Sequence, residues 1–305
     1  MLSDSARETM DETDKKPQVL VTGAAGNAGR AVSRLLFEEG YALRLADSGA
    51  PPDEDLELGH WMRCDTRTPD DVRRAVEGVD AVVHLAAWHC AHQPPVSDAT
   101  IFAVNVDGTF NVLEAARDQG VKALTFASSM AYGWGSVYSM TKVVGEEMCR
   151  AFHEMTGAHV AMLRYHEFTP CTYLRFGSRL LRNGVDRQDV ARATVASVRA
   201  TLEGRTGLFE TIVHTAHNLP PQVQENFCEL GPDWCEDQIP GSRWLLERYE
   251  LDLPIQVEQH DLGEAERVLG WKPQVNFQSF LRSLEDRSAR GQDLRKLQVP
   301  GELPR

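Results

Sequence analysis

Positive charge is scarce in this chain. Its 32 Lys and Arg stand against 45 Asp and Glu, a formal net charge of −13. A nucleic-acid partner is not expected, because a phosphate backbone calls for a basic face. Long apolar runs are missing as well: nothing approaches the ~18 apolar residues of a membrane-spanning helix. Residues 1–16 are polar and acidic, lack the apolar segment of a signal peptide, and read as a flexible leader. Cysteine is sparse and scattered, at 64, 90, 149, 171, 228 and 235, with no CxxC pair. Reduced thiols and a cytoplasmic location are the expectation. His89, Cys90 and His92 lie close together but have no fourth ligand nearby in sequence, so no metal is expected. The rest is ordinary for a globular protein: 42% hydrophobic and 25% charged over 305 residues, enough for one large or two small domains.

What is present begins with Val19–Gly29, where an apolar run closes on Thr22 and glycines follow at 23, 26 and 29. Glycine there permits a sharp turn off a strand and lets backbone approach a pyrophosphate at a helix start. Gln18–Thr22 reads as a buried strand and Asn27–Glu39 as a helix ended by Gly40. Tyr41–Ala46 is a second strand, closing on Asp47. An acidic side chain at that spacing accepts from ribose hydroxyls and repels a 2′-phosphate, which favours NAD over NADP.

Alternation of strand and helix continues. His60–Cys64 is a strand leading to Asp65-Thr66, and Pro69–Glu77 a helix. Val79–Ala87 is a near-continuous apolar run, as in a central parallel strand. Helices over ~100–118 and ~138–156 alternate with strands over ~122–128 and ~159–164, predicting a doubly wound parallel sheet. Residues 214–256 carry no motif; an amphipathic helix is expected near Ser242–Tyr249.

Tyr138 and Lys142 stand four apart in a helical pattern and share a face. A nearby ammonium stabilises a phenolate, which predicts a lowered tyrosine pKa and an acid/base suited to an alcohol. Ser128-Ser129 end a strand close by and offer a hydroxyl to a reacting oxygen. Arg164, Arg175, Arg179 and Arg182 are candidates for a substrate anion, most simply a carboxylate.

Thr22-Gly-x-x-Gly-x-x-Gly29, Asp47, Asp65, His84-Leu-Ala-Ala87, Asn105-Val-Asp-Gly-Thr109, Ser128-Ser129 and Tyr138-x-x-x-Lys142 follow one another as in extended short-chain dehydrogenases/reductases. In these motifs the chain resembles the NAD-dependent epimerase/dehydratase family, and Asp261–Pro273 looks like that family's late segment. The resemblance covers roughly residues 18–285. It implies a Rossmann-type doubly wound sheet over 17–165, a small substrate-side subdomain with remaining sheet elements over 166–285, and a tail over 286–305.

The resemblance further implies Tyr138 as acid/base, Lys142 as its modulator and a ribose ligand, and Ser129 as holder of the substrate oxygen, with Ser128 a rival. Gly23, Gly26, Asn27, Ala28 and Gly29 would line the pyrophosphate. Asp47 would take the ribose, Asp65 with Thr66 the adenine side, and Leu85, Ala86 and Ala87 would pass beside the cofactor. Asn105 would order the site. His89, His166 and Arg175 join Ser128 as substrate-side candidates. Family members pair through the helices at ~100–118 and ~138–156, so a homodimer is expected, with Phe110, Val112, Val143, Met148 and Phe152 as the surplus apolar positions.

Two segments are shorter than in many family members. The loop between Ser129 and Tyr138 is brief, and Met130-Ala131 replaces the acidic pair that dehydratases use. Little chain separates Thr169-Pro170 from Val185–Val190, where nucleotide-sugar enzymes insert a substrate cover. A compact substrate region resembles uronate dehydrogenases. The expected reaction is therefore oxidation of a secondary or anomeric alcohol of a small sugar or sugar acid by NAD. A UDP-sugar type epimerase with tightly bound NAD is the alternative, and a non-catalytic NAD-binding relative the third reading.

Overall fold

The computed structural model describes residues 16–90, 94–131 and 133–299. Residues 1–15 of the expected leader, His92 and the last residues of the expected tail lie outside them. The strands are β1 (Gln18–Thr22), β2 (Ala42–Asp47), β3 (His60–Arg63), β4 (Ala81–His84), β5 (Ala123–Ser129), β6 (His159–Tyr165), β7 (Cys171–Thr172), β8 (Leu208–Val213) and β9 (Gln298–Val299). Seven of them form one parallel sheet in the order β3-β2-β1-β4-β5-β6-β8. β7 and β9 pair antiparallel on their own. The doubly wound, Rossmann-type sheet is as the apolar runs predicted. The apolar run at 79–87 is strand only over Ala81–His84; beyond His84 the chain leaves the ladder and runs along the cleft described below.

Helices α1 (Asn27–Glu38), α2 (Pro69–Val76), α3 (Asp98–Phe102), α4 (Gly108–Asp118), α5 (Val137–Thr156), α6 (Tyr173–Leu180), α7 (Arg187–Leu202), α8 (Pro221–Glu225), α9 (Phe227–Gln238), α10 (Ser242–Arg248), α11 (Gly263–Leu269) and α12 (Phe277–Ala289) complete the chain. Strand side chains alternate between faces. Val19 and Val21 pack with α1 and α7 on one side, whereas Leu20 packs with α2, α4 and α5 on the other. Each fully buried side chain of this size contributes about 2 kcal/mol. The helix expected over ~100–118 is α3 and α4 joined through a π-helical turn at Ala103–Asp107.

The unassigned region 214–256 supplies α8, α9 and α10. These pack with α6, α12, Leu294 and Val299 into a second core, built on Tyr173, Phe227, Phe277 and Phe280. The substrate-side boundary drawn at 285 is corrected: it falls inside α12, and residues to Val299 belong to this core because Leu294, Val299 and Arg287 are buried there. Two of the apolar positions assigned to a dimer face are also corrected. Val112 and Phe152 fill the main core, whereas Phe110 is 53% exposed. The six cysteines form no disulfide, and among the described residues no helix is long and apolar enough to cross a membrane.

Asp189 joins the sheet layer to the late segment. Its buried carboxylate accepts the N–H groups of Gln274 (2.8 Å) and Val275 (2.9 Å) and pairs with Arg192 at 2.6 Å. Asp189→Ala strands those donors and is expected to cost about 3 kcal/mol, since unsatisfied buried groups cost roughly 1–3 kcal/mol each. The urea midpoint of the variant measures this; an unchanged midpoint would mean the 272–276 segment is held by other contacts.

Candidate active site

A cleft of about 710 Å³ opens at the C-terminal ends of the central strands, beside the point where strand order reverses between β1 and β4. Gly23 starts its first wall. It adopts φ +70°, and an added Cβ there would stand 2.7 Å from the Ala86 backbone nitrogen. At Gly29 a Cβ would collide with the Gly23 carbonyl, so the turn closes on the helix only with glycine. At Gly26 the space is open except for the Gly23 carbonyl at 3.2 Å. No side chain caps the start of α1, and no acidic residue occupies its first turn. The amides of that turn and the positive end of the helix are thus left for a ligand anion.

Gly23, Gly26, Asn27, Ala28 and Gly29 all line the cleft, with Leu85 and Ala87 across from them. Ala86 lies behind that lining and donates its N–H to Thr22 Oγ1 at 3.3 Å. Asn27 ties the turn to the 165–170 segment by donating to the Phe168 carbonyl at 3.3 Å. Asp47 stands at the end of β2, its carboxylate accepting the N–H groups of Ala25 (2.9 Å) and Gly49 (2.8 Å). Asp65 is held by Arg67 at 2.6 Å, which keeps its carboxyl below the usual range through that hydrogen bond. Thr66 is buried, with its carbonyl accepting from Asn111 at 2.9 Å. Asp47, Asp65 and Thr66 lie outside the cleft's lining, past the ends of β2 and β3.

The second wall is β5 facing α5. Ser136 caps α5 by accepting the Ser139 N–H at 3.1 Å. Tyr138, Lys142 and Glu146 then follow at four-residue intervals along one buried stripe. Three consecutive residues of β5 answer them. Lys142 Nζ donates to the Ala127 carbonyl at 2.7 Å. Ser128 donates to Glu146 Oε1 at 2.5 Å. The Ser129 hydroxyl lies beside the Tyr138 phenol, close enough to favour its ionised form. Ser129 is therefore the hydroxyl beside the phenol; Ser128 is committed to Glu146, which Arg164 also grips at 2.7 Å.

The expected lowering of the Tyr138 pKa is reversed. Burial pushes the phenol up to about 12, with only the Ser129 hydroxyl opposing it. Lys142 is itself brought down to about 8 by burial, and its Nζ points at the Ala127 carbonyl, 5.8 Å from the Tyr138 ring centre. In this low-dielectric wall desolvation outweighs the ammonium.

His89 lines the cleft and lies edge-on to Tyr138, ring centres 4.4 Å apart. Asn105 sits behind the lining. It accepts from Trp88 N (2.8 Å) and donates to Trp88 O (3.0 Å) and Thr141 Oγ1 (3.0 Å), pinning the 85–90 segment to α5. The arginine expectation is corrected. Arg175 is exposed and does not line the cleft. Arg179 pairs with Glu167 at 3.1 Å, Arg182 with Asp252 at 2.8 Å, and Arg164 with Glu146. Among the described residues, Lys142 is the one Lys or Arg in the lining.

Beyond the residues read from sequence, Trp134, Glu167, Phe168 and Glu258 also line the cleft. Trp134 was open to discovery as the aromatic of Gly133-Trp134-Gly135 just after the serines; the others had no local signal. His166 lines the cleft too, with His214, Glu258 and His260 gathered round it, all their ligating atoms within 4.8 Å of one another. His166 is depressed to about 3 and His214 to about 4, chiefly by burial.

Fold and cleft together are those of an NAD-dependent oxidoreductase. The chain belongs to the NAD-dependent epimerase/dehydratase family, whose model matches residues 19–187. It is 31% identical over 209 residues to a uronate dehydrogenase of Pseudomonas syringae pv. tomato, covering 59% of this chain and 74% of that one. It is 22% identical over 316 residues to a UDP-glucuronate 4-epimerase of Thermodesulfobacterium geofontis, covering 86% and 93%. Among solved structures, an NAD-bound short-chain dehydrogenase/reductase superfamily protein from Agrobacterium tumefaciens shares the fold, with a TM-score of 0.66 at 20% identity over 90% of this chain and 98% of that one.

Behind the cleft His84 bridges Thr22 Oγ1 (2.7 Å) and Thr109 Oγ1 (3.0 Å), and burial lowers its pKa to about 3. The unfolded chain, with a histidine near 6.5, takes up the proton first as pH falls. Its contribution is therefore whole above about 6.5 and lost toward 3, at about 1.4 kcal/mol per pH unit. Unfolding free energy measured against pH between about 4 and 6 should fall less steeply, by one proton's worth, in His84→Gln. Parallel slopes would count against a neutral buried His84.

Proposed function

We propose that this enzyme oxidises a small sugar acid, of the uronate class, at a secondary or anomeric alcohol, with NAD as hydride acceptor. The observation that carries this reading is the lining of the cleft: a Ser129–Tyr138 pair beside Lys142 and the glycine turn, with no arginine among the described lining residues to serve a nucleotide diphosphate. The similarity to uronate dehydrogenases supports it. NAD, when bound, would supply the hydride acceptor. The amides at Gly26–Gly29 would hold its diphosphate, Asp47 its ribose hydroxyls, and Asp65 and Thr66 its adenine side, with Leu85–Ala87 beside it. Tyr138 Oη exchanges the proton of the reacting hydroxyl, and Ser129 Oγ holds the same oxygen. Lys142 keeps that proton exchange near a positive charge and reaches a ribose hydroxyl. His89, in contact with Tyr138, bounds the substrate end.

The UDP-glucuronate 4-epimerase similarity runs over more of the chain, and this favours a second reading in which the hydride returns to the opposite face of the sugar. Release of NADH separates the two. Purified protein with NAD and a panel of uronic acids, aldoses and polyols is expected to form NADH with a uronate. Tyr138→Phe should lower kcat by roughly 10²–10⁴, the usual span for one positioned acid/base. Asp47→Ala should raise the KM for NAD with a smaller effect on kcat. NADH absent, with UDP-sugars interconverted, would establish the epimerase instead.

We further place the enzyme in the cytoplasm, on its unpaired cysteines, and pair it as a homodimer through α4 and α5. Phe110 on α4 at 53% exposure, with half-buried Val143 on α5, supports that face. Phe110→Glu should convert a dimer to a monomer in analytical ultracentrifugation; an unchanged sedimentation coefficient would move the interface elsewhere.

A further inference from the structure

We propose that His166, His214, His260 and Glu258 form a binding site for one divalent transition-metal ion of the zinc type, set in the wall of the cleft. Four ligating atoms, one from each residue, already lie within 4.8 Å of one another. Ligands 2.0–2.1 Å from a tetrahedral ion stand about 3.3 Å apart, so side-chain shifts of about an ångström close the set. The residues come from three separate places: the end of β6, the end of β8, and the segment before α11. The histidine rings are packed together, with centres 4.2, 4.9 and 4.9 Å apart.

Burial alone does not explain the group. His166 is 6% exposed and His214 0%, yet His166 Nε2 and His214 Nδ1 have no hydrogen-bond partner. The opposite nitrogen of the His214 ring is fixed. His214 Nε2–H donates to the Arg182 carbonyl at 3.1 Å. That carbonyl sets the tautomer so that the Nδ1 lone pair faces the cluster. Ligating histidines are oriented in this way by an outer carbonyl. His260 Nε2 and Glu258 Oε1, 3.0 Å apart, supply the other two ligands from the more open side.

Three imidazoles and one carboxylate suit zinc or cobalt rather than magnesium or calcium, which take oxygen ligands. An ion here would put positive charge in a wall lined by no arginine among the described residues, because His166 and Glu258 also line the cleft. The site does not depend on which sugar acid is oxidised.

The test uses the untagged full chain, stripped with chelator and titrated with Zn²⁺ against a chromophoric competitor, then with Co²⁺. One equivalent should bind, Co²⁺ should give the visible absorption of a four-coordinate site, and Zn²⁺ should raise the Tm. His214→Gln should weaken binding by roughly 100-fold or more, about 2.7 kcal/mol. Because a buried histidine variant can misfold, His260→Asn and Glu258→Gln repeat the test at side chains 20% and 41% exposed. No tight equivalent in the parent chain, or equal affinity in all three variants, would overturn the site. Neither result bears on whether NADH is formed, so this proposal and the dehydrogenase reading fail separately.

Discussion

The site rests on one register, that of α5 against the end of β5. A phenol, an ammonium and a carboxylate at 138, 142 and 146 are buried along one stripe of the helix. Each would be costly to bury alone. Ser129, the Ala127 carbonyl and Ser128 meet them in turn. A shift of either element by one residue would strand all three. The register is reinforced from the next strand, because Arg164 on β6 grips Glu146 and also reaches Glu210 on β8 at 3.3 Å. Breaking such a buried pair typically costs about 3–5 kcal/mol, so the arrangement is tied to the sheet as far as its outer strand.

The same economy of charge shapes the rest of the cleft. Its glycine turn presents backbone amides at the uncapped start of α1. The four arginines that looked available are turned away, three of them to carboxylates of the chain itself. Among the described residues the lining is left with one ammonium, two histidines and two glutamates.

Much of this was legible in the sequence, for definite reasons. Continuous apolar runs bounded by glycine mark strands buried on both faces, and the Thr22–Gly29 spacing belongs to a turn that admits few other residues. Tyr138 and Lys142 were readable because helical spacing is local. The choice between Ser128 and Ser129 was not, since it depends on where Glu146 lies after folding. Nor was the pKa of Tyr138: proximity to Lys142 can be read from a string of letters, desolvation cannot. The arginines misled for the same reason: Arg164, Arg179 and Arg182 each have a carboxylate partner elsewhere in the chain, and Arg175 is exposed. His166, His214, Glu258 and His260 are spread over nearly a hundred positions with nothing local to unite them. Residues 214–256 hid a second core because its short helices bury against one another and against α12 rather than against the sheet.

That second core has a temporal consequence. The parallel sheet is complete at Val213, and the glycine turn, Ser129, Tyr138 and Lys142 all precede it. The helical core instead begins at Cys171 and closes only when β9, at 298–299, pairs with β7. On the ribosome the cofactor half can therefore assemble while the other half is still being made. Domains generally fold in this order during synthesis. Segment 171–180 must wait, its apolar side chains uncovered, for residues 277–299 to arrive. A nascent chain cut short after α11 would carry a formed sheet and an open, adhesive flank, the state in which this protein is most in need of a chaperone.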